Sequence, residues 1–533
     1  MIGREFGYDP VEQTAQRPAP ELRLGLDRLT DAGLLFCRGV PPSSSYLFKH
    51  ALVQDAAYDT LLRAKRQELH ARVAAVLEQR FADVVERQPE LLAHHLQSAS
   101  RLAEAFVYWR RAGEQATRRA ANHEAAQHFR RALTMLETQP ETEQRWREEL
   151  AILSRLTPAL MSIYGWSAPE VGDAVERAAA VGRQLESSAD LAPSIANLWL
   201  YNFSRGRLDQ ADEISADLFR IARELDDLEI QLQAHHSAWP TRWHRGLFEQ
   251  ASDHIDAALT LYNEERHAHH RTLYLGHDPA VCGLGINASV QYALGNLGRA
   301  PSLEVEAIAL ARRLRHAPSI AHALWLACEA RVARSEREGL TVILGELLRL
   351  SEEQELPQPR ANALIFLGWA LAGSGETAQG IAKIEEGLDL LSNMGVKAYL
   401  TRSLCLLAEA LLAAGRPREG ITHVARALDA AAELGDVFYL SRLHQIRADL
   451  LLHAGGRIDE AAASLEEALR VARRRQAKAY ELRAATSLAR LWGEQGRRTE
   501  ARELLAPVYG WFTEGFDTAD LKDAKALLAA LMA

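Results

Sequence analysis

The sequence has little of what builds disulfide-linked, membrane-spanning or fibrous proteins. Its four cysteines (Cys37, Cys282, Cys328 and Cys405) are too far apart for a C-x-x-C metal pair or a compact disulfide framework. No uninterrupted apolar run reaches the roughly 18 residues of a membrane span, and Arg4 and Glu5 stand where a signal peptide needs apolar residues. Glycine (33) and proline (18) are not enriched, and 48% of the residues are hydrophobic. We therefore expect a helix-rich, cytoplasmic globular protein without membrane contact.

Lysine is also scarce, and this scarcity bears on catalysis. Of the 62 basic residues seven are lysines, and none of them follows a glycine. The P-loop motif G-x-x-x-x-G-K-[ST] is therefore absent, as is the G-x-S-x-G context of a serine nucleophile. The net charge is −9, and residues 1–80 hold 11 basic and 10 acidic residues, which disfavours a nucleic-acid surface. We expect no enzyme activity, no catalytic residue and no cofactor.

A glycine-centred turn recurs about every forty residues. Gaps of 40, 52, 77, 40, 41 and 40 residues separate its glycines, and a degenerate turn near 337–339 divides the longest gap into two units. The glycines are Gly206, Gly246, Gly298, Gly375, Gly415, Gly456 and Gly496. An apolar segment of helical periodicity lies on each side of every turn, so each unit is predicted to be a helical hairpin.

Small residues pair across these turns. Gly368 with Gly380, and Ala408 with Gly420, lie twelve residues apart, where two helices of a hairpin must approach closely. The spacing of Ala461, Leu465 and Ala468 resembles the second helix of tetratricopeptide repeats. The expected fold class is all-α: a right-handed α-solenoid of tetratricopeptide-like hairpins with a period of about 40 residues. Such arrays bind protein or peptide partners on a concave surface lined by the first helices.

The first eighty residues follow a different pattern. Residues 21–33 predict a helix with Leu22, Leu26 and Leu29 on one face, and residues 34–38 and 46–50 predict two short strands. A helix followed by a hairpin is typical of a partial winged helix. We expect this module and a connecting helix at 1–87, degenerate hairpins at 88–190 and the superhelix at 191–533.

Three stretches here resemble one known family. IGREFGYD, LDRLTDAGLLFCRG and YLFKHALVQDAAYDTLLRAKRQELHARVAAVLE look like the end of the ATPase core and the start of the helical arm in bacterial STAND-class signalling ATPases. Many of those proteins carry an N-terminal class III adenylate/guanylate cyclase domain. GHDPAVCGLG (276–285) and LLAPVYGWFTEGFDTADLKDAKALL (504–528) resemble the repeat arm of the cyclase-linked subgroup.

The resemblance implies a non-catalytic sensor arm whose ATPase core lies outside this chain. It would bind a partner or ligand and relay the binding signal to a separate ATPase or cyclase module. One alternative is a truncated product of a full ATP-binding regulator, and a second is a winged-helix transcription regulator. In the family a histidine at the position of His50 contacts nucleotide phosphate. Ala51 stands where an aspartate would follow, so His50 is interpreted as a structural residue at the junction of hairpin and helix.

Aromatic and arginine residues supply the candidate contacts with a partner. Trp199, Trp239 and Trp243 fall on or near first helices, with Arg242 beside them. Because aromatic and arginine side chains anchor many interfaces, these four residues are the candidate partner site. The alternative places the tryptophans in the hairpin core, as it does Trp325 and Trp369.

The densest histidine cluster does not have the spacing of a metal site. His267, His269, His270 and His277, with Asp278, supply imidazole and carboxylate groups, but no second ligand pair follows at fixed spacing. We interpret the segment as a solvated connection between repeats and predict no metal site. Asp278 is expected to cap a helix that begins with Pro279.

Overall fold

The computed structural model describes residues 5–185 and 189–532. It is 77% helical, and within these residues there are 28 α-helices and one three-stranded sheet. The expected all-α class is confirmed. The chain forms two compact units, 1–152 and 153–533.

The first unit contains the sheet and the first eight helices. Its elements are β1 (Glu5–Gly7), α1 (Tyr8–Ala15), α2 (Ala19–Asp31), β2 (Leu35–Arg38), β3 (Ser45–Phe48), α3 (Ala51–Asp59), α4 (Arg63–Arg80), α5 (Ala82–Arg87), α6 (Pro89–Ser98), α7 (Leu102–Arg118) and α8 (Asn122–Leu136). Helix α9 (Glu143–Tyr164) contains the boundary with the second unit. The sheet is antiparallel in the order β1-β3-β2.

The two predicted strands are present, but a third strand was missed. β1 pairs with β3 through Phe6 and Tyr46, whose rings stack 5.7 Å apart. The sequence predicted strands only within residues 34–50, and β1 lies outside that range. A strand of three residues carries too little alternation to be recognised from its sequence. Leu22 and Leu26 join the small core, whereas Leu29 is 41% exposed, so the predicted apolar face is shorter than expected.

The second unit is a solenoid of helical hairpins. Its helices are α10 (Pro169–Gly182), α11 (Ala192–Ser204), α12 (Leu208–Leu225), α13 (Leu228–His244), α14 (Phe248–Leu261), α15 (His270–Leu273), α16 (Pro279–Leu294), α17 (Arg299–Leu314), α18 (Ala317–Ala333), α19 (Leu340–Glu353), α20 (Pro357–Gly373), α21 (Thr377–Asn393), α22 (Leu400–Ala413), α23 (Pro417–Leu434), α24 (Leu440–His453), α25 (Ile458–Arg474), α26 (Lys478–Glu494), α27 (Arg498–Tyr509) and α28 (Ala519–Met532). Eight hairpins run from α11–α12 to α26–α27. Their first helices also pack on one another in sequence, so they form an inner row and their second helices an outer row.

The predicted turns are present with one correction. Six of the seven glycines have a positive φ, the left-handed backbone that glycine adopts without strain. Gly298 does not, because that turn centres on Gly295 (φ 94°). The degenerate turn lies at Ser335 (φ 57°), so turns recur at 295, 335, 375 and 415. The forty-residue period is therefore more regular than the glycines alone indicated.

The inner helices are buried on nearly all sides. In α16, 14 of 16 residues are buried, against six of 16 in the neighbouring outer helix α17. The expectation that first helices line an open concave surface is wrong for this part of the chain. An amphipathic outer helix needs one apolar face, whereas a helix packed on all sides is apolar all round.

Contacts between hairpins about five repeats apart explain this burial. The backbone N–H groups of Lys397 and Ala398 donate to the carbonyl oxygen of Ser204 at 2.8 and 3.1 Å. Forty residues further along, those of Val437 and Phe438 donate to His244 at 2.7 and 3.2 Å. Helix α16 likewise packs on α26. Successive superhelical turns are thus in direct contact, and the inner helices fill the space between them.

The compact units do not coincide with the boundaries expected at 87 and 190. Helix α6 packs on α4 and α5, α7 packs on α6, and α8 packs on α7, all within the first unit. The three-part division at 1–87, 88–190 and 191–533 stays a prediction.

Gly368→Ala is predicted to destabilise the second unit by about 1–3 kcal/mol, the usual cost of overpacking. A methyl group there would press on the carbonyl oxygen of Gly380 and lie 2.7 Å from Cγ1 of Ile384. Chemical denaturation followed by circular dichroism measures the change. Gly345→Ala on α19 is the control. Among the described residues, no atom outside its own helix lies within 4 Å of the added methyl group, and alanine favours a helix over glycine by up to about 1 kcal/mol. Equal stability of the two variants would contradict the close helix approach.

The first unit is predicted to lose stability as the pH falls from 6.5 towards 4. His70 and His95 are buried with their Nδ1 atoms 2.8 Å apart, and burial lowers their pKa to about 4 and about 3. Between these values and 6.5 the unfolded chain binds more protons, so stability rises with pH across this window. Hydrogen exchange of α4 and α6 at pH 7, 6 and 5 measures the effect. His95→Gln should reduce the pH dependence in these helices, and an unchanged dependence would exclude the pair as its source.

Candidate partner-binding site

The three candidate tryptophans lie in the core. Trp199 and Trp239 are 1% exposed and Trp243 is 2% exposed. The Trp199 indole donates to Thr241 Oγ1 at 3.3 Å, and the Trp243 ring lies 4.7 Å from that of Phe438. The prediction that these tryptophans contact a partner is therefore corrected: the superhelical turns close over them. Trp325 and Trp369 are also buried.

Arg242 is the one candidate at the surface. Its side chain is 26% exposed and pairs with Asp212 at 2.5 Å. Arg245, one helical turn later, pairs with Asp212 at 2.9 Å and with Asp209 at 2.5 Å. These carboxylates neutralise both arginines, so Arg242 is not free to bind an anion. Its neighbour Arg245, however, lines an open cleft.

This cleft has a volume of about 480 Å³ and lies between two superhelical turns. One wall is the turn before α12, with Arg205 and Arg207, together with Arg245. The opposite wall comes from the turns after α21 and α23, around Lys397 and Glu433. We call it the arginine cleft. The contacts between distant hairpins bring these walls together, which is why the local sequence did not reveal it.

Arg207 differs from its equivalents in other repeats. Arg416, Arg457 and Arg497 occupy the same position before α23, α25 and α27, and each binds a glutamate three residues later. Arg457, for example, holds both oxygens of Glu460 at 2.7 and 2.6 Å. The residue three after Arg207 is Gln210, which cannot form an ion pair.

The arginine cleft therefore carries uncompensated positive charge. Lys397 pairs with Glu433 at 3.7 Å, and Arg245 pairs with Asp209. Among the described residues, no carboxylate forms an ion pair with Arg205 or Arg207. Arg205 donates to the Ser167 carbonyl oxygen at 3.2 Å and Arg207 to Asn202 Oδ1 at 3.3 Å, both neutral acceptors. A planar guanidinium with spare N–H donors suits a carboxylate, so the cleft can bind an acidic group.

His50 lies at the start of α3, as the sequence suggested. It occupies the residue before the helix, and its carbonyl oxygen accepts from Val53 N–H at 3.1 Å. Its imidazole is exposed and makes no capping hydrogen bond, so only the backbone has a structural role. His50 is a nucleotide-contact candidate only together with an ATPase core, and that role stays untested.

The histidine segment is more buried than expected. His267, His270 and His277 are 2%, 0% and 5% exposed, whereas the side chain of His269 is 51% exposed. The interpretation as a solvated connection is wrong for the three buried histidines, because the segment folds back onto α13. The predicted helix start is confirmed: Asp278 accepts from the N–H groups of Ala280 and Val281 at 3.0 and 3.2 Å.

Within the described ranges, no helix is both long and apolar enough to span a membrane.

Sequence comparison relates this chain to part of a larger protein. An uncharacterized protein of Rhizobium meliloti (strain 1021) is 31% identical over 383 residues. The aligned region is 71% of this chain and 37% of the relative, so the chain spans well under half of the relative's length. No protein-family model matches the sequence.

Three solved structures show a partial likeness to this chain. A Rap protein complexed with competence and sporulation factor has a TM-score of 0.48 at 15% identity, covering 72% of this chain and 99% of its own. The Cut9–Hcn1 hetero-tetramer of the APC/C has 0.46 at 13%, covering 98% of both chains. A STAND protein with a tetratricopeptide repeat sensor from Pyrococcus horikoshii has 0.33 at 12%, covering 98% of this chain and 63% of its own. At these identities and TM-scores the likenesses assign no function.

Trp243→Ala is predicted to destabilise the second unit by about 3–5 kcal/mol, because it removes a buried indole. Arg242→Ala is the neighbouring control, and the loss of its partly exposed ion pair should cost about 0–1 kcal/mol. Urea unfolding of both variants gives the comparison. A Trp243→Ala protein as stable as the wild type would restore the interpretation that this tryptophan contacts a partner.

Proposed function

We propose that this chain is a non-catalytic, partner-sensing repeat scaffold that binds a carboxylate-bearing segment of a protein partner in the arginine cleft. The observation that carries the proposal is the pair Arg205 and Arg207, which face an open cleft and form no ion pair with any residue that the structure describes. An acidic peptide would supply the carboxylates that Glu419, Glu460 and Glu500 supply in other repeats.

The size and polarity of the arginine cleft favour a peptide segment over an apolar ligand. Its volume of about 480 Å³ falls in the range of small-molecule and side-chain pockets. Arg205, Arg207 and Lys397 present N–H donors from both walls, and Leu208 and Leu434 add limited apolar surface. A short segment with two or three acidic side chains matches this arrangement.

The position of the arginine cleft provides a route from binding to signal. Its two walls belong to superhelical turns that meet through backbone hydrogen bonds at Ser204 and His244. A ligand that binds both walls favours the conformation in which the turns are close. The difference between its affinities for the close and the open conformation sets how far the equilibrium shifts. The binding event would thus stabilise the contact between the two turns.

The regulator that receives the signal is a further step of the same proposal. The stretches at 2–9, 26–39 and 46–78 resemble STAND-class ATPases, many of them linked to cyclase domains. We infer that the chain is the cytoplasmic sensor arm of such a regulator, with a winged helix in the first unit and an ATPase or cyclase as its partner module. The length of the curated relative beyond the aligned region is consistent with a multidomain arrangement.

Gln210→Glu is predicted to weaken binding of an acidic peptide about tenfold, which corresponds to about 1.4 kcal/mol. The new carboxylate would pair with Arg207, as Glu460 pairs with Arg457, and would occupy the donors that the peptide needs. Fluorescence anisotropy with a labelled hexaglutamate peptide measures the affinity. The binding should also weaken with salt, since exposed charges are screened.

Arg457→Ala is the matched control for Arg207→Ala. Both substitutions remove one arginine from the residue before an outer helix, but only Arg207 lines the arginine cleft. Arg207→Ala should reduce peptide affinity and Arg457→Ala should leave it unchanged. Equal losses in the two variants would show a response to overall charge and would overturn the assignment of the cleft.

A further inference from the structure

Three side chains with metal-binding atoms converge inside the second unit. His236 lies on α13, His277 lies two residues before α16, and Cys282 lies in the first turns of α16. One nitrogen of each imidazole and the Cys282 sulfur all lie within 4.8 Å of one another. The three residues are 1%, 5% and 3% exposed. They are distant in sequence and share no metal-binding spacing, so only the fold reveals them.

Hydrogen bonds orient both imidazoles in the same way. His277 Nδ1 lies 3.0 Å from the Leu275 carbonyl oxygen, which can only accept, so Nδ1 carries the proton. His236 Nδ1 lies 3.1 Å from Gln233 Oε1, an amide oxygen that can only accept, so Nδ1 carries the proton in this ring too. In each ring the unprotonated nitrogen is therefore Nε2. Binding one nitrogen to metal while the other donates to an oxygen is the usual arrangement of metal-bound histidine.

Gln233 is itself held in place. Its Nε2 lies 2.7 Å from His270 Nδ1, which fixes the amide with Oε1 towards His236. His270 Nε2 faces Glu229 Oε2 at 3.6 Å. A chain of polar contacts thus runs from Glu229 at the surface to His236.

The surroundings suit a metal ion that prefers sulfur and nitrogen. Two imidazole nitrogens and one cysteine sulfur form a donor set that suits zinc and copper(I). Burial raises the pKa of the Cys282 thiol to about 12, so a metal ion must displace a proton that burial favours on the sulfur. Trp239 stacks on His236 at 4.8 Å, and His322 stacks on His277 at 3.9 Å. The buried Nε2 of His322 has no hydrogen-bond partner among the described residues.

We propose that His236, His277 and Cys282 bind a thiophilic d¹⁰ metal ion, Zn²⁺ or Cu⁺, that links α13 to α16. Bond lengths of about 2.0 Å to nitrogen and 2.3 Å to sulfur place the ligand atoms roughly 3.5 Å apart. The three atoms, now within 4.8 Å of one another, would move together on metal binding. On binding, the Cys282 S–H bond breaks, a metal–sulfur bond forms, and the proton passes to solvent. The three ligands leave a fourth position for water.

Cobalt substitution tests the site in the full chain. After treatment with a chelator, Co²⁺ titration should produce a sulfur-to-cobalt charge-transfer band that saturates at one equivalent. The fluorescence of the neighbouring tryptophans should be quenched over the same range. Zn²⁺ should displace the cobalt, and Cu⁺, titrated against a competing chelator, distinguishes the two metals. Wild-type protein that binds neither Zn²⁺ nor Cu⁺ at one equivalent would overturn the proposal.

Variants separate this site from other cysteines and from a second histidine cluster. Cys282→Ser should abolish the charge-transfer band, whereas Cys328→Ser, another buried cysteine, should retain it. His269→Ala removes a member of the Glu229, His269 and His270 cluster and should also retain the band. A band that persists in Cys282→Ser, or disappears in His269→Ala, contradicts the assignment. If Cys282→Ser does not fold, Gln233→Ala serves instead, with an expected loss of about 10–100-fold in affinity.

Discussion

The second unit depends on the backbone hydrogen bonds that join hairpins about five repeats apart. The N–H groups of residues 397–398 and 437–438 donate to Ser204 and His244, and this contact brings successive superhelical turns together. With the turns apart, the inner helices would line an open groove. With the turns in contact, the same helices are buried, and the accessible polar surface moves to the turns, where the arginine cleft lies.

Interactions between neighbours in the chain could be predicted from the sequence. The forty-residue period, the hairpins, the close pair Gly368 and Gly380, and the cap at Asp278 all depend on residues within a few helical turns of each other. Their signals are local: periodicity, small residues at fixed separation, and an aspartate before Pro279. These signals survive in a single sequence because each hairpin must satisfy them by itself.

Interactions across the superhelix could not be predicted in this way. The pitch of a solenoid follows from small rotations summed over several repeats, and no single repeat encodes it. The burial of Trp243 against Phe438 therefore came only from the fold. The meeting of His236 with Cys282 lies between adjacent hairpins, but the two residues share no fixed sequence spacing, so it too came only from the fold. Two features of the sequence do indicate the contact between turns and the arginine cleft. Tyr399, Tyr439 and Tyr480 recur every 40 or 41 residues where the turns meet, and Gln210 breaks the Arg-x-x-Glu pattern of the later repeats.

Closure over about five hairpins limits how such a chain can vary. An open solenoid gains or loses a repeat at little cost, because each repeat contacts only its neighbours. Here the removal of one hairpin would place Ser204 opposite the wrong turn and shift the partner of every inner helix after it. The number of repeats is thus part of the fold, and a change in length is tolerated only at the two ends of the array or inside turns that face solvent.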